Sequence, residues 1–238
     1  MDELEWWEFD TPAEMAEQVA GDIGFVIERA VEAHGGARIA LPGGAGSEVL
    51  LQALLKNKSI DWKKVTILPT DDAIVSPHDA LSSYAKLRSV FGKGGAELVP
   101  LIDESASGDT AAAGRAADGR LAALHWPLDL VCLTVGEGGS VASILPGPDL
   151  DKALAGPRER RAVGVRPDPA LKDASGDRVT LTAAAITSAR ALMLVVIGDE
   201  KRSLVEQAIQ EGPLAKAPVG RLLAEIDSPI DIFWSSEG

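Results

Sequence analysis

Strands that alternate with helices along the whole chain predict an α/β fold, a mostly parallel sheet covered by helices on both faces. Two further observations support that class. With 238 residues, 46% hydrophobic and 25% charged, the chain can bury a sizeable core and is too apolar to be disordered. Three predicted strands end in loops unlike ordinary connectors, at 42–47, 70–77 and 136–143, where parallel sheets bind their ligands.

The elements follow in order. Thr11-Pro12-Ala13-Glu14 supplies an N-cap hydroxyl, a proline at the first helical position and a glutamate at the third, which is a capping box. Met15, Val19, Ile23, Val26 and Ile27 then recur at helical spacing, and Gly35-Gly36 ends the helix. Residues 38–41 form a short apolar strand, broken by Pro42-Gly43-Gly44-Ala45-Gly46-Ser47; Val49, Leu50, Ala53 and Leu54 mark the apolar side of the next helix. The run KVTIL at 64–68 is a buried strand ending at Asp71-Asp72, with a helix over 82–91. Residues 109–124 are alanine-rich and helical, interrupted by Gly114 and Gly119. Residues 129–135 (DLVCLTV) form a strand that ends in Gly136-Glu137-Gly138-Gly139-Ser140. Strands at 178–181 and 192–197 flank a short alanine-rich helix, 200–209 is helical, and 230–234 is a last, edge strand.

Residues 147–176, rich in Pro, Gly, Arg and Asp, are the weakest for regular structure and read as a flap or excursion. Trp6, Trp7 and Phe9 read as a hydrophobic plug against the sheet or a subunit contact. With no repeat and no low-complexity linker, the prediction is a single Rossmann-like domain over residues 1–238.

The charge balance narrows the function. Lys plus Arg number 23 against 36 Asp plus Glu, a formal net charge of −13, which disfavours nucleic acid and anionic membranes as partners. A small anionic substrate is not excluded, because it feels one cleft rather than the whole surface. The start MDELEWWEFD has no basic region before an apolar stretch, and 191–197 is far short of the roughly 20 residues that span a bilayer, so a soluble, cytoplasmic protein is expected. The single Cys132 excludes an internal disulfide.

Two glycine loops that feed helices read either as a phosphate or oxyanion cradle or as tight turns. In an extended chain Asp71 and Asp72 point to opposite sides, so one carboxylate can face a cleft while the other faces loop backbone; a helix or turn cap is the competing role. Of the histidines, His34 and His125 lie at helix ends and read as structural, while His78 follows the Asp71-Asp72 loop. No histidine pair has metal-ligand spacing, and no phosphate-binding Gly-x-x-x-x-Gly-Lys-Ser/Thr is present.

With these loops in view, the chain resembles the 6-phosphogluconolactonase family, relatives of the glucosamine-6-phosphate deaminases, from about Thr11 to Trp234. Leu41-Pro42-Gly43-Gly44-Ala45-Gly46-Ser47 occupies the place of the family's L-S-G-G-S-T-P. Thr70-Asp71-Asp72-Ala73 through Ser82-Ser83-Tyr84 aligns without a gap to G-D-E-R…S-N-Y. The run from Thr134 to Pro146 corresponds to G-x-G-x-D-G-H-x-A-S-L-F-P, while Arg178-Val179-Thr180-Leu181-Thr182 and Gly198-Asp199-Glu200-Lys201 resemble R-I-T-L-T and G-x-x-K.

The resemblance implies hydrolysis of 6-phospho-D-glucono-1,5-lactone to 6-phosphogluconate in the pentose phosphate pathway, a carboxylic ester hydrolase with no metal and no cofactor. It also implies a third-loop histidine as base, a second-loop aspartate to orient it and a second-loop arginine for the phosphate. The sequence departs at these positions: the base is Ser140, the arginine Ala73, and the asparagine before the tyrosine Ser83. A serine hydroxyl has no useful basicity near neutral pH, and alanine supplies no guanidinium.

Three readings stay open: a lactonase whose base is displaced to His78, a non-catalytic relative that binds a sugar phosphate or a partner in a vestigial pocket, and, last, a deaminase. For the first, Lys201 and the Gly43 and Gly44 amides are expected to hold the phosphate with help from Arg178. Asp71 orients water or a base, and the Gly138, Gly139 and Ser140 amides receive the oxyanion. Asp72 is expected to be structural.

Overall fold

The computed structural model describes residues 4–44, 46–104, 108–168 and 176–236. Its main sheet has seven strands: β1 (Leu4–Phe9), β2 (Ala37–Leu41), β3 (Val65–Pro69), β5 (Glu97–Leu98), β6 (Leu130–Thr134), β9 (Leu192–Ile197) and β10 (Ile230–Ser235). All neighbours pair in parallel, in the order β1-β10-β9-β6-β2-β3-β5. A second, antiparallel sheet of three strands, β4 (Asp71–Ala73), β8 (Arg178–Leu181) and β7 (Ala162–Val165), runs in the order β4-β8-β7. The expected α/β class and parallel sheet are present; the strand at 178–181 belongs to the smaller sheet.

Continuous apolar runs are what a sheet covered on both faces requires, and successive side chains go to opposite sides. In β6, Leu130 and Cys132 join one core cluster while Val131 and Leu133 join the other. Likewise Met193 and Val195 of β9 face one way, and Leu192, Leu194 and Val196 the other. Burial pushes the Cys132 thiol up to about 12, so it is a small apolar core group rather than a nucleophile.

The helices are α1 (Pro12–His34), α2 (Glu48–Lys56), α3 (Ser83–Phe91), α4 (Thr110–Leu121), α5 (Leu150–Leu154), α6 (Ala183–Thr187), α7 (Asp199–Glu211) and α8 (Pro218–Leu223). Buried residues of α1, α2 and α3 fill one cluster; those of α4, α6, α7 and α8 fill the other, which also takes Val165, Val179 and Leu181 of the smaller sheet. The cap of α1 is as its sequence predicts: Thr11 Oγ1 accepts from the Glu14 amide at 3.2 Å, and Gly35 closes the helix at φ 85°. His34 is structural, with Nε2 3.1 Å from the buried Asp129.

Three expectations need correction. Trp6, Trp7 and Phe9 are not a plug but part of β1, which pairs outside β10, so residues 230–234 are not an edge. Residues 147–176 are partly regular: they contribute α5 and β7, although 169–175 lie outside the described residues. On α2, Val49 is exposed and Leu51 is buried in its stead. Among the described residues, no helix is long and apolar enough to cross a membrane, and no group of three His, Cys, Asp or Glu is placed to hold a metal ion.

Candidate active site

The chain lays β2, β3 and β5 outward in succession, then returns to place β6 on the other side of β2. The loops after β2 and β6 therefore diverge and open a crevice at the carboxyl ends of the strands, the switch point at which such sheets bind ligands.

The first loop is held down by contact. A Cβ on Gly43 would lie 2.6 Å from Ser83 Cβ and 2.7 Å from its Cα, so only glycine permits this approach to α3. Gly44 has open space beside it, and its carbonyl accepts from Ser47 Oγ at 2.7 Å. Ala45 lies outside the described residues.

In the second loop the alternation separates the two aspartates. The β4–β8 register sets Asp71 opposite Thr180, Asp72 opposite Val179 and Ala73 opposite Arg178. Asp71 and Arg178 thus share a face as a diagonal cross-strand pair, and Asp72 takes the opposite one. Asp72 is fully buried and caps α3: its carboxylate accepts from the Ser83 amide at 2.7 Å, the Tyr84 amide at 3.2 Å and Ser82 Oγ at 3.1 Å. Burial raises its pKa from 3.8 to about 6, against the pull of those donors.

Asp71 sits in a knot. Its Oδ2 accepts from Arg178 Nη2 at 2.6 Å and Nε at 3.2 Å, and Thr70 Oγ1 donates to Oδ1 at 3.1 Å. Ser143 Oγ donates to the same Oδ2 and accepts from Arg178 Nε. Only 15% of the Arg178 side chain and 11% of that of Asp71 is exposed, so the pair is largely desolvated.

Ser143 reaches the knot through strained backbone. Val141 and Ile144 close a tight turn, Ile144 N to Val141 O at 2.7 Å, whose central residues Ala142 (φ 46°) and Ser143 (φ 56°) are both left-handed without being glycine. Such residues cost on the order of 1–3 kcal/mol each unless their surroundings hold them. Here Thr180 Oγ1 donates to the Ala142 carbonyl, and Ser143 is fastened to the ion pair.

The third loop passes through Gly138 and Gly139, left-handed at φ 61° and 74°. The Gly139 amide donates to the Gly136 carbonyl and the Ser140 amide to the Glu137 carbonyl, both at 3.3 Å. These long bonds belong to the turn, so an oxyanion drawn to those amides shares their hydrogens with it.

A cleft of about 580 Å3 lies between this loop and the start of α7, lined by Glu137, Gly138, Ile197, Gly198, Asp199, Glu200, Lys201 and Leu204. Lys201 is its single cation among the described lining residues, beside three carboxylates. Of the residues named from sequence, the cleft brings together Gly138 and Lys201. Asp71 and Arg178 meet each other instead, which occupies the arginine expected to help with phosphate. His78 stands exposed with Nε2 3.4 Å from Glu104 Oε1 and makes no bond to Asp71 or the third loop.

Sequence reasoning missed Ser143. Its signal would have been three-dimensional: residues 71, 143 and 178 are remote in the chain, and nothing local marks a serine for the left-handed region.

Residues 10–230 match the family described as glucosamine-6-phosphate isomerases/6-phosphogluconolactonase. A 6-phosphogluconolactonase of Rhizobium meliloti is 31% identical over 231 residues, covering 95% of this chain and 97% of the relative. One from Neisseria meningitidis is 28% identical over 97% of this chain and 98% of the relative. The crystal structure of a 6-phosphogluconolactonase from Shewanella baltica superposes with a TM-score of 0.87 at 29% identity, covering 98% of both chains.

Proposed function

This chain belongs to the glucosamine-6-phosphate isomerase/6-phosphogluconolactonase family, and from that premise we infer that it hydrolyses 6-phospho-D-glucono-1,5-lactone to 6-phosphogluconate, a step of the pentose phosphate pathway. The observation that carries this reading is the match to a lactonase at 31% identity along nearly the whole of both chains. A non-catalytic relative is not favoured, because the relatives matched at that length are lactonases by name.

In this reading the cleft takes the phosphate. Lys201 supplies the charge and Gly138 the near wall, while Gly44 leaves room at the first loop. Gly43 shapes that loop by its contact with Ser83. The oxyanion forms beside the third loop, where the Gly139 and Ser140 amides bend from their 3.3 Å turn bonds toward the developing charge.

Water is oriented by Asp71. Arg178 and Ser143 fix its carboxylate, and a guanidinium at 2.6 Å favours the charged form, which suits orientation better than proton capture. Ser140 acts through its amide and not as a base. His78, bound to Glu104 at the surface, is left as a displaced base only if its removal is felt in turnover. The ester is intrinsically labile, so a site without an imidazole in the third loop still accelerates its opening. No cofactor takes part, and the setting is proposed to be cytoplasmic.

The test is to follow disappearance of the phosphorylated lactone, with and without purified protein, by time-resolved NMR. Loss faster than in buffer, with 6-phosphogluconate as product, is expected; equal rates overturn the reading.

A further inference from the structure

Lys201 and Arg202 are neighbours at the start of α7 that turn in different directions. Lys201 lines the cleft. Arg202 turns to the edge of the main sheet, where its guanidinium carbon lies 4.4 Å from the ring centre of Trp234 and 5.5 Å from that of Trp6. Its Nη2 donates to Glu8 at 2.7 Å and its Nε to Glu206 at 2.9 Å. The parallel register, Trp6 with Ile232 and Glu8 with Trp234, puts Trp6, Glu8 and Trp234 on one face of β1 and β10.

The same edge also holds the backbone that begins the helix. Gly198 donates from its amide to the Ser235 carbonyl at 2.9 Å, and its carbonyl accepts from Trp234 Nε1 at 3.3 Å. Gly198 is the N-cap of α7 and brings no side chain to cap it. The first turn is therefore fastened through Arg202 and Gly198 to β1 and β10. A lysine ammonium on a four-carbon stem is only as well placed as the backbone that carries it.

We propose that Trp6, Glu8, Trp234 and Arg202 form a positioning cage that fixes the first turn of α7 and so aims Lys201 at the phosphate of the substrate. This rests on the proposed function only in taking Lys201 as the partner of that phosphate. It assigns the N-terminal strand, remote from the chemistry in sequence, a part in substrate affinity. Arginine suits the task because its flat, always charged group stacks on rings while its nitrogens bind carboxylates.

The test is a double-mutant cycle read as affinity for 6-phosphogluconate by calorimetry, with Trp6→Ala/Glu8→Gln as one arm and Lys201→Met as the other. The cage variant is expected to bind on the order of tenfold more weakly, since small misplacements of a binding group are felt strongly. Trp6→Phe, which keeps a ring, is expected to restore most of the affinity. In the Lys201→Met background the cage substitutions should have no further effect, whereas a general loss of structure would weaken binding there as well. Additive losses, or wild-type affinity in the cage variant while Lys201→Met is impaired, overturn the cage and leave the proposed function standing. Equal binding by wild type and Lys201→Met overturns the phosphate role of Lys201 and this inference with it. Should the double cage variant fail to fold, Glu8→Gln alone, with a loss of about two- to fivefold from one exposed ion pair, carries the same cycle.

Discussion

The start of α7 and the junction of β4, β8 and the third loop are built in opposite ways. At α7 a cation is left facing an open cleft, and the anchoring is done from behind by Arg202, Trp6, Trp234 and Glu8. At the junction the charges face one another: Asp71, Arg178 and Ser143 satisfy each other's hydrogen bonds in a nearly closed knot. One region keeps a charge available for a ligand, and the other holds its charges to fix geometry. The difference teaches that anion binding here survives the loss of proton-transfer side chains, because the two tasks stand on different elements.

The widest break in that contrast comes from restoring the absent groups. A Ser140→His/Ala73→Arg variant is expected to gain about 10²-fold or more in kcat, within the range of a general base; steady-state lactone hydrolysis measures it. Lys201→Met sharpens the other side, raising KM for the phosphorylated lactone about 10- to 100-fold, as for loss of one charge-assisted hydrogen bond. Initial rates over a substrate series check this. Asp71→Asn leaves Arg178 and Ser143 without their acceptor, costing about 3 kcal/mol in urea unfolding as well as turnover.

Much of the fold was legible in the chain, for physical reasons that also say where legibility ends. Strands β2, β3, β6 and β9 are apolar runs ended by Pro, Gly or Asp, because both faces of the sheet are covered. The strand β1 hid because Glu5-Trp6-Trp7-Glu8 shows no clean alternation: at an exposed sheet edge, Trp7 and Glu8 stay at the surface. Strand β7 hid among prolines and arginines, since its four residues pair with β8 from a short excursion. Asp72 as a cap was legible from its position before a helix. The union of Asp71 with Arg178 was not, because it depends on a register between segments 107 residues apart.

Asp72 offers a subtler test of the junction. Its pKa, raised by burial to about 6, means that the native state keeps a proton the unfolded chain has released above 3.8. Stability from this group is complete below about pH 4 and is lost as pH rises through 6. The thermal stability of wild type relative to Asp72→Asn should therefore fall between pH 4 and 7, by at most about 3 kcal/mol. The smallest effect is reserved for His78, whose imidazole faces Glu104. His78→Ala is expected to change kcat by less than about threefold, well short of the roughly 10²-fold loss of a general base.

The most direct measurement compares two lactones on wild-type protein against a buffer blank: 6-phosphoglucono-1,5-lactone and its unphosphorylated counterpart. The account predicts clear acceleration of the first and a rate close to the blank for the second, because the retained anion end selects the substrate. Equal acceleration of both, or of neither, contradicts it.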